Sequence, residues 1–129
     1  MSILVDSSVW IDYFKTGEKS SELDMLIDEN LICINDLILA ELIPTLKINN
    51  QNTLIDLLSR IITIPLNISW SKLVDYQIKC IQSGINKVGI PDLIILDNVI
   101  KNDLVLFTLD KQFILIKEHI EFEQWNTRI

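Results

Sequence analysis

Apolar residues in this chain fall into short runs that are separated by longer stretches with helical spacing. A run of three or four apolar residues is typical of a strand that is buried on both faces. Four such runs are predicted to be strands, at 2–5, 31–34, 61–64 and 104–107, and 120–122 predicts a short last strand.

Between these runs, apolar residues recur every three or four positions, which predicts helices. The helical stretches are 7–14, 18–30, 37–49, 50–60, 69–83, 92–102 and a short one after Asp110. Pro44 lies inside the third stretch and lacks a backbone donor, so we expect a kink or a break there. Strands that alternate with helices and are apolar on both faces indicate an α/β fold with a central, mainly parallel sheet covered on both sides.

The composition is that of one folded domain. The chain has 129 residues, 49% of them hydrophobic, with no linker, internal repeat or low-complexity tract. We therefore expect residues 1–129 to form a single domain with a full core. No apolar run approaches the ~18–20 residues of a membrane-spanning helix, and the N-terminus lacks the basic lead of a signal peptide. A cytoplasmic protein is expected.

Cysteine and histidine offer little chemistry here. Cys33 and Cys80 lie far apart in apolar segments, and His119 is the only histidine. A structural zinc site, a disulfide scaffold and a His-centred catalytic triad are therefore not expected. Any acid–base chemistry must come from carboxylates or a metal ion.

The chain is acidic overall. It has 11 Lys and Arg against 18 Asp and Glu, a formal net charge of −7. This balance argues against a protein that binds DNA through bulk positive charge. It leaves open nucleic-acid chemistry at a metal site, because each divalent cation offsets two negative charges.

Four acidic residues stand where a site in a parallel sheet would form, at the carboxyl ends of the strands. Asp6 follows the first strand, Asp110 follows the fourth, Asp92 opens a helix after a Gly-Ile-Pro loop, and Glu41 interrupts an apolar helical stretch. If folding brings them to one edge, their repulsion is relieved by a divalent cation, and oxygen ligands suit Mg²⁺ or Mn²⁺.

Each of these acids also has a simpler explanation. Asp6, Asp92 and Asp110 are placed to cap helices, whereas a mid-helix Glu41 has only a solvated face or an ion pair, for instance with Lys47. Their joint occurrence favours the metal site. Asp97 should point to another side of the helix that carries Asp92, so it is expected to be structural or peripheral.

Four sequence blocks resemble a known family. Residues 3–14 (ILVDSSVWIDYF) look like the start of a PIN-domain ribonuclease, in particular the VapC toxins of type II toxin–antitoxin systems. The family's order continues with 40–42 (AEL), 90–95 (IPDLII) and 107–113 (FTLDKQF). Each block alone is weak, but four in sequence across residues 3–113 make a fairly specific signal.

The resemblance implies a three-layer α/β/α fold and Mg²⁺-dependent cleavage of RNA, with Mn²⁺ able to substitute. It also implies inhibition by a cognate antitoxin and, commonly, a homodimer. Carried over by position, Asp6, Glu41, Asp92 and Asp110 are the catalytic and metal-binding acids, and Ser8 and Thr108 are hydroxyls that support the site.

The sequence alone leaves other interpretations open. The main alternative is a catalytically inactive PIN-like module that binds RNA or protein. A haloacid-dehalogenase-type phosphatase would need a second aspartate where Ser8 stands, and a receiver-like phospho-acceptor would need an acid paired with Asp6. On the first helix, Trp10, Tyr13 and Phe14 share a face, either as core or as a groove for an antitoxin.

Overall fold

Parallel pairing organises the whole sheet. The computed structural model of the protein describes residues 2–126, and the strand order is β3-β2-β1-β4-β5 with every neighbouring pair parallel. The strands are β1 (Ile3–Val5), β2 (Ile32–Ile34), β3 (Ile62–Thr63), β4 (Val105–Phe107) and β5 (Glu123–Gln124). The central strand, β1, therefore ends between β2 and β4, next to the loops that follow both.

The central strands are buried on both faces, as their uninterrupted apolar sequence predicts. Every residue of β1 and β2 is buried, and Leu4 lies opposite Cys33 on one side and Leu106 on the other. Helices supply the two covering layers, so the predicted three-layer α/β/α fold with a parallel sheet is confirmed.

Helices connect successive strands along the chain. They are α1 (Ser7–Lys15), α2 (Leu23–Asp28), α3 (Asp36–Ile48), α4 (Asn52–Ser59), α5 (Trp70–Gln82), α6 (Ile90–Lys101) and α7 (Gln112–Lys117). The predicted break at Pro44 does not occur, because α3 continues through it. Pro44 and Ala40, whose carbonyl loses its partner, are both exposed, so water can satisfy that carbonyl.

The last strand differs from its prediction. The apolar residues Ile120 and Phe122 are buried in the core, but the pairing with β4 begins only at Glu123. At this edge of the sheet, the buried residues are not the residues that pair with β4. The apolar pattern predicts the burial but not the pairing.

The two cysteines are buried free thiols. Burial raises the pKa of the Cys33 thiol to about 11 and also raises that of Cys80, so both thiols are protonated near neutral pH. No helix within residues 2–126 has the length and apolar character needed to cross a membrane.

Candidate active site

Asp6 is the most firmly held of the four acids. It directly follows β1, it is only 6% exposed, and its backbone N–H donates to the Phe107 carbonyl at 2.9 Å. It is also the N-cap of α1, since its Oδ1 accepts the Ser7 N–H at 2.6 Å. The capping explanation is therefore correct for Asp6, but it uses one carboxylate oxygen and leaves the other for different partners.

Two hydroxyls hold that second oxygen. Thr108 Oγ1 donates to Asp6 Oδ2 at 2.7 Å, and Ser8 Oγ donates to the same oxygen at 3.1 Å. Both hydroxyls also accept backbone N–H groups from the segment after β4, Ser8 from Leu109 and Thr108 from Asp110, each at 3.0 Å. They therefore fix the carboxylate and join the ends of β1 and β4.

Asp92 lies in the first turn of α6, where Gly89 is the N-cap and Pro91 pre-forms the turn. Burial raises the pKa of Asp92, and the charges of Asp110 and Asp6 raise it further, while a hydrogen bond with the Gly89 backbone lowers it. Asp92 thus belongs to the first turn of α6 and also lies within the electrostatic influence of two other acids.

Glu41 extends from α3, a helix that packs against α1. Burial of its carboxyl group raises the pKa, and the charges of Asp6 and Asp92 add to the rise. No ion pair forms with Lys47 or with any other cation in the described part of the chain. Although its carboxyl group is partly desolvated, Glu41 is the most exposed of the four acids, and we call its position the rim of the site.

Asp110 follows β4 and precedes Lys111, the N-cap of α7, and its carboxylate accepts the Gln112 N–H at 3.0 Å in the first turn of that helix. Its charge nevertheless contributes to the raised pKa of Asp92. Asp6, Glu41, Asp92 and Asp110 therefore form one electrostatically connected group. Among residues 2–126, no group of three or more acidic, cysteine or histidine side chains has metal-binding geometry.

The donor set fits a hard divalent cation. Every charged group in the cluster is a carboxylate, the two cysteines are buried elsewhere, and oxygen-only sites favour Mg²⁺ or Mn²⁺ over zinc. A cation would also offset the repulsion that raises the pKa values of Glu41 and Asp92.

Other acids lie outside the cluster. Asp97 is buried on α6, where its carboxylate pairs with Lys101 Nζ at 3.3 Å and accepts the Ser69 N–H at 3.4 Å. It therefore has the structural position expected for it. Asp12 accepts Ser20 Oγ at 2.6 Å and the Lys19 N–H at 3.0 Å, and so organises the loop after α1.

A buried pair of asparagine side chains was not predicted from the sequence. Asn35 Nδ2 donates to Asn98 Oδ1 at 3.0 Å, and Asn98 Nδ2 donates to the Pro65 carbonyl at 2.9 Å. Asn35 also caps α3 through the Ile38 N–H. This pair ties the start of α3, which carries Glu41, to α6, which carries Asp92. The available signal was an asparagine within a long apolar helix.

In α/β proteins with a parallel sheet, ligands bind at the carboxyl ends of the strands, and the acids of this site are grouped at that edge. The sequence matches the PIN domain family over residues 3–118. The chain belongs to the PIN-domain family, and the resemblance given by its four sequence blocks is confirmed.

Solved structures share this fold. VapBC2 from Rickettsia felis, bound to a DNA fragment from their promoter, has a TM-score of 0.72 and 22% identity, covering 98% of this chain and 100% of that one. DNA-bound VapBC from Salmonella typhimurium has a TM-score of 0.75 and 19% identity, covering 98% and 99%.

FitAcB from Neisseria gonorrhoeae has a TM-score of 0.70 and 18% identity, covering 96% of each chain. At these identities, the likeness shows the fold alone. Among curated proteins, no sequence matches significantly.

Proposed function

We propose that residues 1–129 form one PIN-like domain that acts as a Mg²⁺-dependent endoribonuclease of the VapC type and hydrolyses RNA phosphodiester bonds. The observation that carries the proposal is the mutual influence of Asp6, Glu41, Asp92 and Asp110 in a chain of the PIN family. Uncompensated crowding of carboxylates destabilises a fold, so a site that keeps it is suited to a cation.

The four carboxylates would hold the metal. When bound, Mg²⁺ supplies Lewis-acid stabilisation of phosphate charge and lowers the pKa of water. Asp6 is fixed through Ser8 and Thr108, so it orients the site without reorganising. Glu41 has a raised pKa and reaches the rim, which suits it to accept the proton of an attacking water.

A cognate antitoxin is the proposed inhibitor. The VapC-like sequence blocks imply it, and two similar structures are VapBC complexes. On α1, Trp10 is buried as core, while Tyr13 and Phe14 are partly exposed and border a cavity of about 480 Å³. This cavity supports the proposal that the shared aromatic face serves both roles, with the antitoxin at its outer end.

A homodimer is the proposed assembly. Trp70, Val74, Ile78 and Ile81 form an exposed apolar stripe along α5, and Ile90 extends it onto α6. Among residues 2–126, no charged side chain lines the shallow cavity there. An isologous interface brings a patch against its own copy, and an uncharged apolar patch avoids self-repulsion. The stripe would be the centre of the ~800 Å² that a stable interface buries per partner.

The proposed activity is tested with purified protein and a defined RNA in Mg²⁺ or Mn²⁺. We expect the wild type to cleave, Asp6→Asn to lose cleavage, and EDTA to abolish it. Asp56→Asn is the matched control, because Asp56 pairs with Arg60 on the surface at 2.7 Å. Equal cleavage by the Asp6→Asn and wild-type proteins would refute the site. RNA binding without cleavage, together with no divalent-ion binding by calorimetry, would identify an inactive binding module.

A further inference from the structure

An open groove adjoins the acidic cluster. Its volume is about 920 Å³, and Ser8, Thr108 and Asp110 belong both to its wall and to the candidate active site. Lys15, Lys19, Lys111 and Lys117 also line it, and we call it the lysine groove. These lysines come from separate parts of the chain: the end of α1, the loop after it, the loop after β4, and the end of α7.

The groove lysines are not engaged in ion pairs within the described residues, and Lys117 Nζ lies over the Phe122 ring, 5.9 Å from its centroid. Among residues 2–126, the ion pairs are Arg60–Asp56 and Lys101–Asp97, and neither includes a groove lysine. Asp12, on the groove wall, is occupied by Ser20 and the Lys19 backbone. The groove wall has four ammonium groups against the carboxylates of Asp12, Asp110 and Glu118. The groove therefore has a small positive excess of one charge, in a chain whose net charge is −7.

An aromatic ring lies in the same groove. Trp125 lines it and is partly exposed, while its Nε1 donates to Glu22 Oε2 at 3.0 Å. Its ring lies 6.5 Å from that of Phe107, and its backbone N–H donates to the Leu106 carbonyl at 2.8 Å. The indole is therefore fixed in place, as a surface for stacking an unpaired base needs to be.

We propose that the lysine groove binds the unpaired RNA strand that continues from the scissile phosphate, with Lys15, Lys19, Lys111 and Lys117 at backbone phosphates and Trp125 stacked on a base. The proposal rests on the ribonuclease function for its substrate. Lysines that track a backbone beside an aromatic platform are the usual means of holding single strands without reading sequence. Because Ser8, Thr108 and Asp110 belong to both the groove and the candidate active site, a strand in the groove would lead directly to the acids.

The test measures binding rather than cleavage. In the Asp6→Asn background with Mg²⁺, the affinity for a fluorescein-labelled single-stranded RNA is measured by anisotropy from 50 to 200 mM KCl. We compare Lys15→Gln/Lys111→Gln and Lys19→Gln/Lys117→Gln with the control pair Lys72→Gln/Lys79→Gln. The control removes the same charge from exposed positions on α5, away from the groove.

Each groove pair should lower the log–log salt slope by about 1.4, since one phosphate contact to a single strand contributes roughly 0.7. From 50 to 200 mM KCl, the protein with all four groove lysines would then lose roughly sevenfold more RNA affinity than a protein that carries one groove pair of substitutions. The control pair should keep the slope. Equal slopes for groove and control pairs would overturn the lysine assignment, even if the wild type cleaves RNA.

Tryptophan fluorescence tests the stacking. RNA should quench the emission, Trp125→Phe should remove most of the quenching, and Trp70→Phe, which changes an exposed indole on α5, should retain it. Quenching that persists in Trp125→Phe would overturn the stacking. If the wild type fails to cleave but the groove pairs still lower the salt slope, the groove stands and the nuclease proposal fails.

Discussion

Thr108 Oγ1 donates a hydrogen bond to Asp6 Oδ2 at 2.7 Å, although the two residues are 102 positions apart in the chain. The contact exists because β1 and β4 are adjacent and parallel, with Val5 opposite Phe107. The next residue on each strand therefore reaches the same edge. The orientation of the candidate active site thus depends directly on the register of the sheet.

Thr108→Val tests this contact with a side chain of the same shape. It removes the donor to Asp6 and the acceptor for the Asp110 N–H. We expect a loss of about 1.5–3 kcal/mol in the free energy of unfolding, the range for a hydrogen bond to a charged group. RNA cleavage should fall strongly, and Thr108→Ser should restore most of both. Urea unfolding and a cleavage assay measure the two effects, and full activity of Thr108→Val would contradict the positioning role.

Glu41→Gln tests the crowding of the carboxylates through pH. The folded-state pKa of Glu41 is raised above its ordinary 4.5, by burial first and then by Asp6 and Asp92. A raised pKa leaves stability intact below the unfolded pKa and lowers it as pH rises through the folded value. In EDTA, Glu41→Gln should therefore match the wild type near pH 4 and be more stable at pH 7. Solvent screening at this exposed rim keeps the gain below about 1 kcal/mol.

Added Mg²⁺ should reverse the order at pH 7, because a ligand that binds only the folded state stabilises it by an amount that rises with the logarithm of its concentration over Kd. Thermal unfolding with and without Mg²⁺ measures this reversal. Glu121→Gln, which neutralises an exposed acid outside the cluster, is the control and should show neither effect. A Glu41→Gln protein that is less stable than the wild type in EDTA at pH 7 would argue against crowding at Glu41.

The sequence predicts the strands and the acids better than the contacts between them. Three-residue apolar runs mark β1, β2 and β4 because these strands are buried on both faces. The four acids follow from their places after strands and in helices. The strand order, however, depends on which edges pair in space, so the bond between Asp6 and Thr108 could enter only through the family resemblance. Asn98 was missed because a polar residue within a helix usually indicates its solvated face.

Asn98→Leu tests the buried amide pair. It keeps an apolar helix position but leaves Asn35 Nδ2 and the Pro65 carbonyl without this partner. A buried polar group that loses its partner costs about 1–3 kcal/mol, so we expect at least that loss in the free energy of unfolding. Because the pair ties α3 to α6, Mg²⁺ affinity should weaken as well. Asn86→Ala, which truncates an exposed loop amide away from this pair, should change stability by less than about 0.5 kcal/mol.

Ile78→Lys tests the proposed dimer at the middle of the exposed stripe on α5. Ile78 is 46% exposed, so a lysine fits the isolated subunit without strain, whereas a self-associating patch would place two charges near each other in an apolar interface. We expect the wild type to sediment as a dimer and Ile78→Lys as a monomer with an unchanged circular dichroism spectrum. Ile48→Lys, which places the same charge at an exposed isoleucine at the end of α3, should remain dimeric. A wild-type monomer at all concentrations would refute the dimer. A dimer that survives Ile78→Lys would place the interface on another face.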